Sequence, residues 1–118
     1  MIKLKRVYER PSRADGRRVL VERLWPRGLK RADADIAEWL RDIAPSDALR
    51  RWYGHDPARW PEFKRRYRAE LRTSERRALL ETLADQARRG TVTLIFAARD
   101  EERNSARVVR EELAKMGL

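Results

Sequence analysis

The sequence predicts a single α/β domain over residues 1–118, with a small, mainly parallel sheet and helices packed around it. Three observations support this fold class. Short apolar runs alternate with stretches of helical periodicity, as in α/β layer structures. Hydrophobic residues make up 42% of the chain and charged residues 41%, so a core can form despite the high charge. A chain of 118 residues fits one domain better than two.

Two strands are predicted near the N-terminus. Ile2–Val7 alternates apolar and charged side chains, which indicates a half-exposed edge strand. A polar loop follows over residues 9–16. Arg18–Leu24 lacks strict alternation, which favours a strand covered on both faces. Pro26 lacks an amide proton and ends this strand.

Helical spacing dominates the middle of the chain. A first helix is predicted from Asp33 to the residues before Pro45, with its inner face formed by Ile36, Trp39, Leu40 and Ile43. Ser46 is the predicted cap of a short second helix that Gly54 closes.

Three further elements complete the predicted fold. A third helix begins near either Asp56–Pro57 or Pro61, and a fourth runs from Thr73 or Ser74 to Gly90. Thr91–Ala98 is the most apolar run and predicts a central strand, followed by a last helix from about Glu102 or Asn104 to Met116. We expect the central strand to lie parallel and adjacent to Arg18–Leu24, joined by a right-handed crossover.

The composition excludes several classes of site. The chain has no cysteine, which excludes disulfides, Cys-ligated zinc and thiolate nucleophiles. Its one histidine, His55, cannot form a multi-histidine metal site, and we predict no metal ion and no cofactor. No apolar run approaches the roughly 18 residues that span a bilayer, and the first residues lack a signal-peptide core. A cytoplasmic location is therefore expected.

Two loops are the candidate site, because ligands of open α/β sheets bind beyond the carboxyl ends of the strands. The first loop supplies Arg23, Trp25, Arg27 and Gly28, and the second supplies Arg99, Asp100 and Asn104. Arginines are forked anion donors, and Asn104 precedes a helix whose free N–H groups favour anions. We expect Asp100 to lie between Arg23, Arg27 and Arg99. The alternative is that Arg23, Trp25 and Asp100 form a structural clamp that holds the two loops together.

A second group of uncommon residues surrounds His55. Histidine is the one residue type whose unperturbed pKa lies near neutrality, and the adjacent Asp56 could orient the ring, so His55 and Asp100 are candidates for proton transfer. The alternative is that Asp56 caps a helix and His55 is a partly buried loop residue.

Long motifs at these positions resemble a known family. They are RVLVERLWPRGLK over residues 18–30, APS over 44–46, LIFAARD over 94–100, and Leu49-Arg50, Trp52, His55-Asp56, Trp60, Phe63, Tyr67, Glu70-Leu71, Asn104 and Ala106. Together they are similar to the YeaO-like branch of the domain of unknown function 488 proteins. The resemblance implies a small bacterial cytoplasmic α/β domain without an established reaction.

One departure from the wider family bears on chemistry. Some members of other branches carry a Cys-His-Arg motif in the turn after the last strand. This chain has Asp100, Arg103 and Asn104 there, so the thiol chemistry imagined for those relatives cannot operate. The departure favours a binding or hydrolytic role.

The net charge of +10, from 29 basic and 19 acidic residues, leaves three hypotheses open. The first is a protein that binds an anionic small molecule or a nucleotide at the strand ends, with or without an enzymatic activity. The second is a nucleic-acid-binding protein that uses a basic helical face with Arg65, Arg66 and Arg72, although a solvated face explains the same charge. The third is an interaction module whose loops are merely interlocked.

Overall fold

A computed structural model describes all 118 residues. The chain forms four strands and five helices in the order β1 (Ile2–Arg6), β2 (Arg17–Leu20), α1 (Arg31–Ala34), β3 (Glu38–Trp39), α2 (Asp47–Tyr53), α3 (Trp60–Leu71), α4 (Ser74–Arg89), β4 (Val92–Phe96) and α5 (Ser105–Ala114). The strand order is β1-β4-β2-β3, and every neighbouring pair is parallel. The predicted α/β fold with a mainly parallel sheet is confirmed.

The central position of β4 is also confirmed. It pairs with β1 on one side, where Leu4 lies opposite Leu94, and with β2 on the other, where Val19 lies opposite the same residue. All five of its residues are buried. The strand β1 lies at the edge of the sheet, as its alternating pattern predicts.

The two faces of the sheet are covered differently. Residues of alternating position, such as Val19 and Leu94, face the main core, where α2 to α5 pack. Leu20 and Ile95 face the opposite side, which the segment after β2 covers with Trp25, Leu29, Ile36 and Trp39. The layer of α2 to α5 therefore lies on one face, and the segment over residues 25–39, which includes the short α1, covers the other.

The helix predicted from Asp33 is wrong. The chain forms only the four-residue α1, passes through Asp35 in the left-handed conformation (φ 50°), and then adds β3 to the sheet edge. The N–H groups of Ala37 and Leu40 donate to β2 carbonyls at 2.9 and 2.8 Å. The open edge of β2 offered these hydrogen bonds, and tertiary pairing prevailed over local helical spacing.

The predicted helix caps are mostly confirmed. Ser46 Oγ accepts from the N–H of Leu49 at 3.2 Å, and Gly54 closes α2 in the left-handed conformation. The Asp56 carboxylate caps a 3₁₀ turn over Pro57–Arg59, after which α3 begins at Trp60. The strand predicted to reach Leu24 ends at Leu20, because the chain turns away from the sheet after Val21.

A buried ion pair joins β2 to the loop before it. The Arg18 side chain is 2% exposed, and its Nη1 lies 2.6 Å from Asp15 Oδ2. Its Nε and Nη2 donate to the carbonyls of Asp35 and Ala34 at 3.0 and 2.9 Å. Lys5 on β1 adds a second cation 3.1 Å from Asp15 Oδ1. One carboxylate thus connects β1, β2 and, through Arg18, the end of α1.

Gly16, next to this ion pair, allows a close approach of two segments. Its φ is +61°, and a Cβ at this position would lie 2.3 Å from the carbonyl oxygen of Thr91. Any side chain would push β2 away from the start of β4.

None of the five helices has both the length and the apolar character needed to cross a bilayer.

Replacing Asp15 by Asn tests the ion pair. The change keeps the volume but leaves the Arg18 guanidinium buried without a counter-ion, so we expect the free energy of unfolding to fall by about 3–5 kcal/mol in urea denaturation. Asp85→Asn is the matched control, since Asp85 is exposed and pairs with Arg88 one turn away. It should cost less than about 1 kcal/mol. Equal losses in the two variants would contradict the assignment.

The Asp15 carboxylate also makes the stability of the protein depend on pH. Burial alone raises the pKa of Asp15, but hydrogen bonds from the Ser12 N–H and from Lys5 and Arg18 outweigh it and hold the pKa below its ordinary 3.8. The unfolded chain then binds this proton more readily, so the contribution is complete above the ordinary pKa and is lost as pH falls through the folded one. Below about pH 4 the urea midpoint of the wild type should fall more steeply than that of Asp15→Asn. Parallel pH profiles would refute this.

Candidate functional site

A cavity of about 610 Å³ opens at the carboxyl ends of β2 and β4. Its volume lies within the range of about 300–1,000 Å³ typical of small-molecule sites. We call it the strand-end cavity, and it is lined by Glu22, Arg23, Ala44, Pro45, Arg50, Tyr53, His55, Phe63, Ala97, Ala98, Arg99, Asp100, Arg103, Asn104 and Ser105. The lining comes from the segments after β2 and β4, from α2, and from the start of α5. This is the edge at which parallel strands place ligand sites.

Five residues predicted from the two loops and from the histidine segment line this cavity. They are Arg23, His55, Arg99, Asp100 and Asn104. The parallel pairing of β2 with β4 brings the first loop beside the second, since both strands end at the same edge.

Three residues predicted for the same site lie elsewhere. Trp25 packs edge-on against Trp39 with ring centroids 5.5 Å apart, and its indole donates to the Leu29 carbonyl. Arg27 is exposed and, like Gly28, does not line the cavity. The reason is the direction of the chain, which leaves the cavity after Arg23 to cover the opposite face of the sheet. The structure therefore does not bring these three residues to the strand-end cavity.

Asp100 does not lie between the arginines of both loops, as the sequence predicts. Its Oδ1 accepts from the N–H groups of Glu102 and Arg103 at 2.9 and 3.0 Å, and its Oδ2 lies 3.3 Å from Arg103 Nη1. The hydrogen bond from the Glu102 N–H is the largest influence that holds the pKa of Asp100 below its usual value. The carboxylate is used inside its own loop, so it does not neutralise Arg23 or Arg99.

Asn104 fixes the start of α5 at the cavity. Its Oδ1 accepts from the Arg107 N–H, and its Nδ2 donates to the Asp100 carbonyl, both at 3.0 Å. This cap leaves the N–H groups of Ser105 and Ala106 without intrahelical partners. The positive end of a ten-residue helix therefore meets the cavity.

His55 lies at the mouth of the cavity. It is exposed, has a φ of 57°, and its ring centroid lies 6.0 Å from that of Tyr53. Asp56 accepts from the Ala58 N–H and forms an ion pair with Arg59 instead of binding the imidazole. The cap interpretation of Asp56 is confirmed.

The sequence interpretation missed Glu22 as a site residue. Its Oε1 accepts from the Ala97 N–H at 3.0 Å, which links the ends of β2 and β4. Burial raises the pKa of this carboxyl, although the Ala97 N–H and the Arg50 charge act in the opposite direction. Its position directly after a buried strand was the available signal, since the same rule identifies its neighbour Arg23.

Arg50, Tyr53 and, from the second loop, Arg103 also line the cavity. Arg50 and Tyr53 belong to α2. The short helix α2 turns both toward the strand ends, and the Tyr53 hydroxyl donates to the Arg103 carbonyl at 3.3 Å.

Partly buried polar contacts hold the chain at Ala44 and Pro45, which line the cavity, and at the adjacent Ser46. The Glu70 carboxylate accepts from the Ser46 N–H at 2.8 Å and from Ser46 Oγ at 2.6 Å. Arg76 of α4 donates to the Ala44 carbonyl at 3.1 Å. These contacts from α3 and α4 fix the position of α2 and thereby of Arg50.

The arginines of the cavity are only partly neutralised. Arg23 Nε and Arg50 Nη2 each lie 3.6 Å from the same oxygen of the exposed Asp47. The Nε of Arg23 is buried and donates no hydrogen bond. Arg99 is exposed and has no carboxylate within ion-pair distance. The cavity therefore carries an excess of positive charge.

The basic helical face is neutralised more fully. Arg65 and Arg66 bind the Glu62 carboxylate at 2.7 and 2.8 Å, and Arg72 lies 3.6 Å from Glu112. The hydrogen bonds from Arg65 and Arg66 lower the pKa of Glu62 to about 2. The three arginines named for nucleic acid thus have acidic partners within the protein.

No group of three His, Cys, Asp or Glu side chains is arranged to hold a metal ion. No solved structure matches the chain.

Several proteins of bacterial origin are similar to this chain over almost its whole length. An uncharacterised protein of Mycobacterium tuberculosis strain H37Rv and one of Mycobacterium bovis are each 41% identical over 112 residues, which covers 95% of this chain and 92% of theirs. The uncharacterised protein YeaO of Escherichia coli K12 is 36% identical over 115 residues and 98% of both chains. The model of a family described as the inactive DUF488-N3 subclade matches residues 1–116. The chain belongs to this YeaO-containing family of DUF488 proteins.

Proposed function

We propose that the protein binds an anionic small molecule, such as a phosphorylated metabolite or a nucleotide, in the strand-end cavity. The observation that carries the proposal is the convergence of Arg23, Arg50 and Arg99 on one cavity, where Arg23 and Arg50 share the exposed Asp47 and Arg99 has no carboxylate partner. Like charges held together repel one another, and a bound anion relieves that repulsion. Guanidinium groups bind phosphates and carboxylates through two parallel hydrogen bonds.

The start of α5 supports the same proposal. Its free N–H groups and positive dipole end add to the arginine charge at one edge of the cavity. Asn104 holds this helix end in place by capping it and by binding the Asp100 carbonyl. A phosphate here would meet backbone donors as well as guanidinium groups.

The remaining lining suits the carbon skeleton of a ligand. Tyr53 and Phe63 stack with ring centroids 4.4 Å apart, and Pro45, Ala97 and Ala98 add small apolar surfaces. Small-molecule sites typically combine such apolar walls with a few charged groups.

A binding role agrees with the description of the subclade as inactive. The chain has no cysteine for thiol chemistry, and Asp100 is engaged with its own loop. His55 lines the cavity at an exposed position, where its imidazole can contact a ligand. Asp56 caps the following turn and does not bind the imidazole. We therefore place this protein among ligand-binding domains rather than thiol-dependent enzymes.

Anion binding should raise the melting temperature. Millimolar phosphate or a nucleotide stabilises the native state by mass action, and calorimetry or a thermal-shift assay measures the increase. The double variant Arg50→Ala with Arg99→Ala should lose most of this response. Its matched control is Arg10→Ala with Arg27→Ala, which removes the same charge from exposed positions outside the cavity. That control should respond like the wild type.

Two results would contradict the proposal. A melting temperature indifferent to a broad panel of phosphates, sulfates and carboxylates would do so. A severe loss of folding in the cavity variant, together with that indifference, would identify these arginines as structural clamps and favour the interaction-module hypothesis.

The nucleic-acid alternative has weaker support, because its arginines are paired with Glu62 and Glu112. We expect no binding of duplex DNA or RNA at about 50 mM salt and tens of micromolar protein, measured by fluorescence anisotropy. Binding that falls steeply with salt, and that Arg65→Glu, Arg66→Glu and Arg72→Glu together abolish, would establish the alternative instead.

A further inference from the structure

Glu22 is the one cavity carboxylate that no cation of the protein pairs with. Asp100 binds Arg103, whereas Glu22 has no lysine or arginine nitrogen within 4 Å. Its Oε1 accepts the Ala97 N–H, and its Oε2 accepts no hydrogen bond from the protein. A largely buried carboxylate thus keeps one oxygen for another donor.

The position of Glu22 differs from that of most of the arginines. Glu22 lies where β2 and β4 leave the sheet, tied to the Ala97 backbone, and burial raises the pKa of its carboxyl. Arg50, Arg99 and Arg103 line the same cavity and are exposed. The lining of the strand-end cavity therefore combines a less exposed carboxylate acceptor with several exposed cations.

A ligand that has an anionic group but no hydrogen-bond donor does not satisfy both the arginines and Glu22. Its negative charge would be attracted to the arginines and repelled by Glu22, and the free oxygen of Glu22 would lose contact with water without gaining a donor. Desolvated charged groups left without partners oppose binding. A ligand that carries a hydrogen-bond donor in addition to its anionic group satisfies both Glu22 and the arginines.

We infer that Glu22 is a specificity-determining residue that selects anions bearing a hydroxyl or ammonium donor, such as sugar phosphates or phosphorylated amines. The inference rests on the proposed anion-binding function and narrows its ligand class. The anionic group binds the arginines, and the donor binds Glu22 Oε2. Glu22 acts here as a binding group.

Two matched pairs of probes test the inference by isothermal titration calorimetry. Ribose 5-phosphate is compared with n-pentyl phosphate, which has the same chain length without hydroxyls. Phosphoethanolamine is compared with ethyl phosphate, which lacks the ammonium group. We expect the wild type to bind the donor-bearing member of at least one pair at least about fivefold more tightly. The pair that shows the preference identifies the donor as hydroxyl or ammonium.

Glu22→Gln is the diagnostic variant. The amide keeps an acceptor for the Ala97 N–H but removes the negative charge and turns N–H donors toward the cavity. The preference should fall below about twofold, and the donor-free phosphates should bind as tightly as to the wild type or more tightly. Glu101→Gln, an exposed carboxylate outside the cavity in the neighbouring loop, is the control and should retain the wild-type preference.

The possible results distinguish a failure of the role of Glu22 from a failure of the proposed anion-binding function. A wild type that binds both members of each pair equally, or a Glu22→Gln variant that keeps the preference, overturns the role of Glu22 and leaves the anion site standing. Failure of the wild type to bind any of the four phosphates overturns both. Circular dichroism establishes folding of the variant, and if it does not fold, the wild-type comparison alone decides.

Discussion

The parallel pairing of β2 with β4 is the constraint on which the rest of this molecule depends. It places Val19 opposite Leu94 and Leu20 opposite Ile95, so the two chain segments leave the sheet at the same edge. The hydrogen bond from the Ala97 N–H to Glu22 then fixes their separation beyond the last ladder contact. The apolar strands thereby determine which charged side chains lie together, although the residues that line the cavity come after the strands and not from within them.

The protein treats its many arginines in two ways. Arg18 is buried with the Asp15 carboxylate and two carbonyl acceptors, and Arg65 shares Glu62 with its neighbour on the helix. These groups are satisfied internally and serve the fold or its solubility. Arg23 and Arg99 have weaker or no internal compensation, and they lie together. The distribution of acidic partners, more than the net charge, therefore distinguishes the arginines that are paired within the protein from those that we propose bind a ligand.

The sequence allowed the elements that form by local or generic rules to be predicted. The apolar run of β4, the Ser46 cap and the edge character of β1 depend on nearby residues or on simple patterning, and all three are confirmed. The strand β3 could not be predicted, because its hydrogen bonds depend on an open β2 edge that no local pattern reveals. The loop after β2 was assigned whole to the site, whereas the structure divides it after Arg23. The partner of Asp100 was misjudged because its short-range hydrogen bonds with Glu102 and Arg103 compete with any long-range one.

The strand order also governs when this protein can fold during its own synthesis. The strands β1 and β2 are made first, yet they are not neighbours, and each pairs with β4, which is made near the end. While the ribosome builds the intervening helices, the two early strands have open edges, apart from the two residues of β3. The four-stranded sheet can form only after residues 92–96 have left the ribosome. A nascent chain of this topology exposes unpaired apolar strands for most of its translation, which is the period in which chaperones bind such segments.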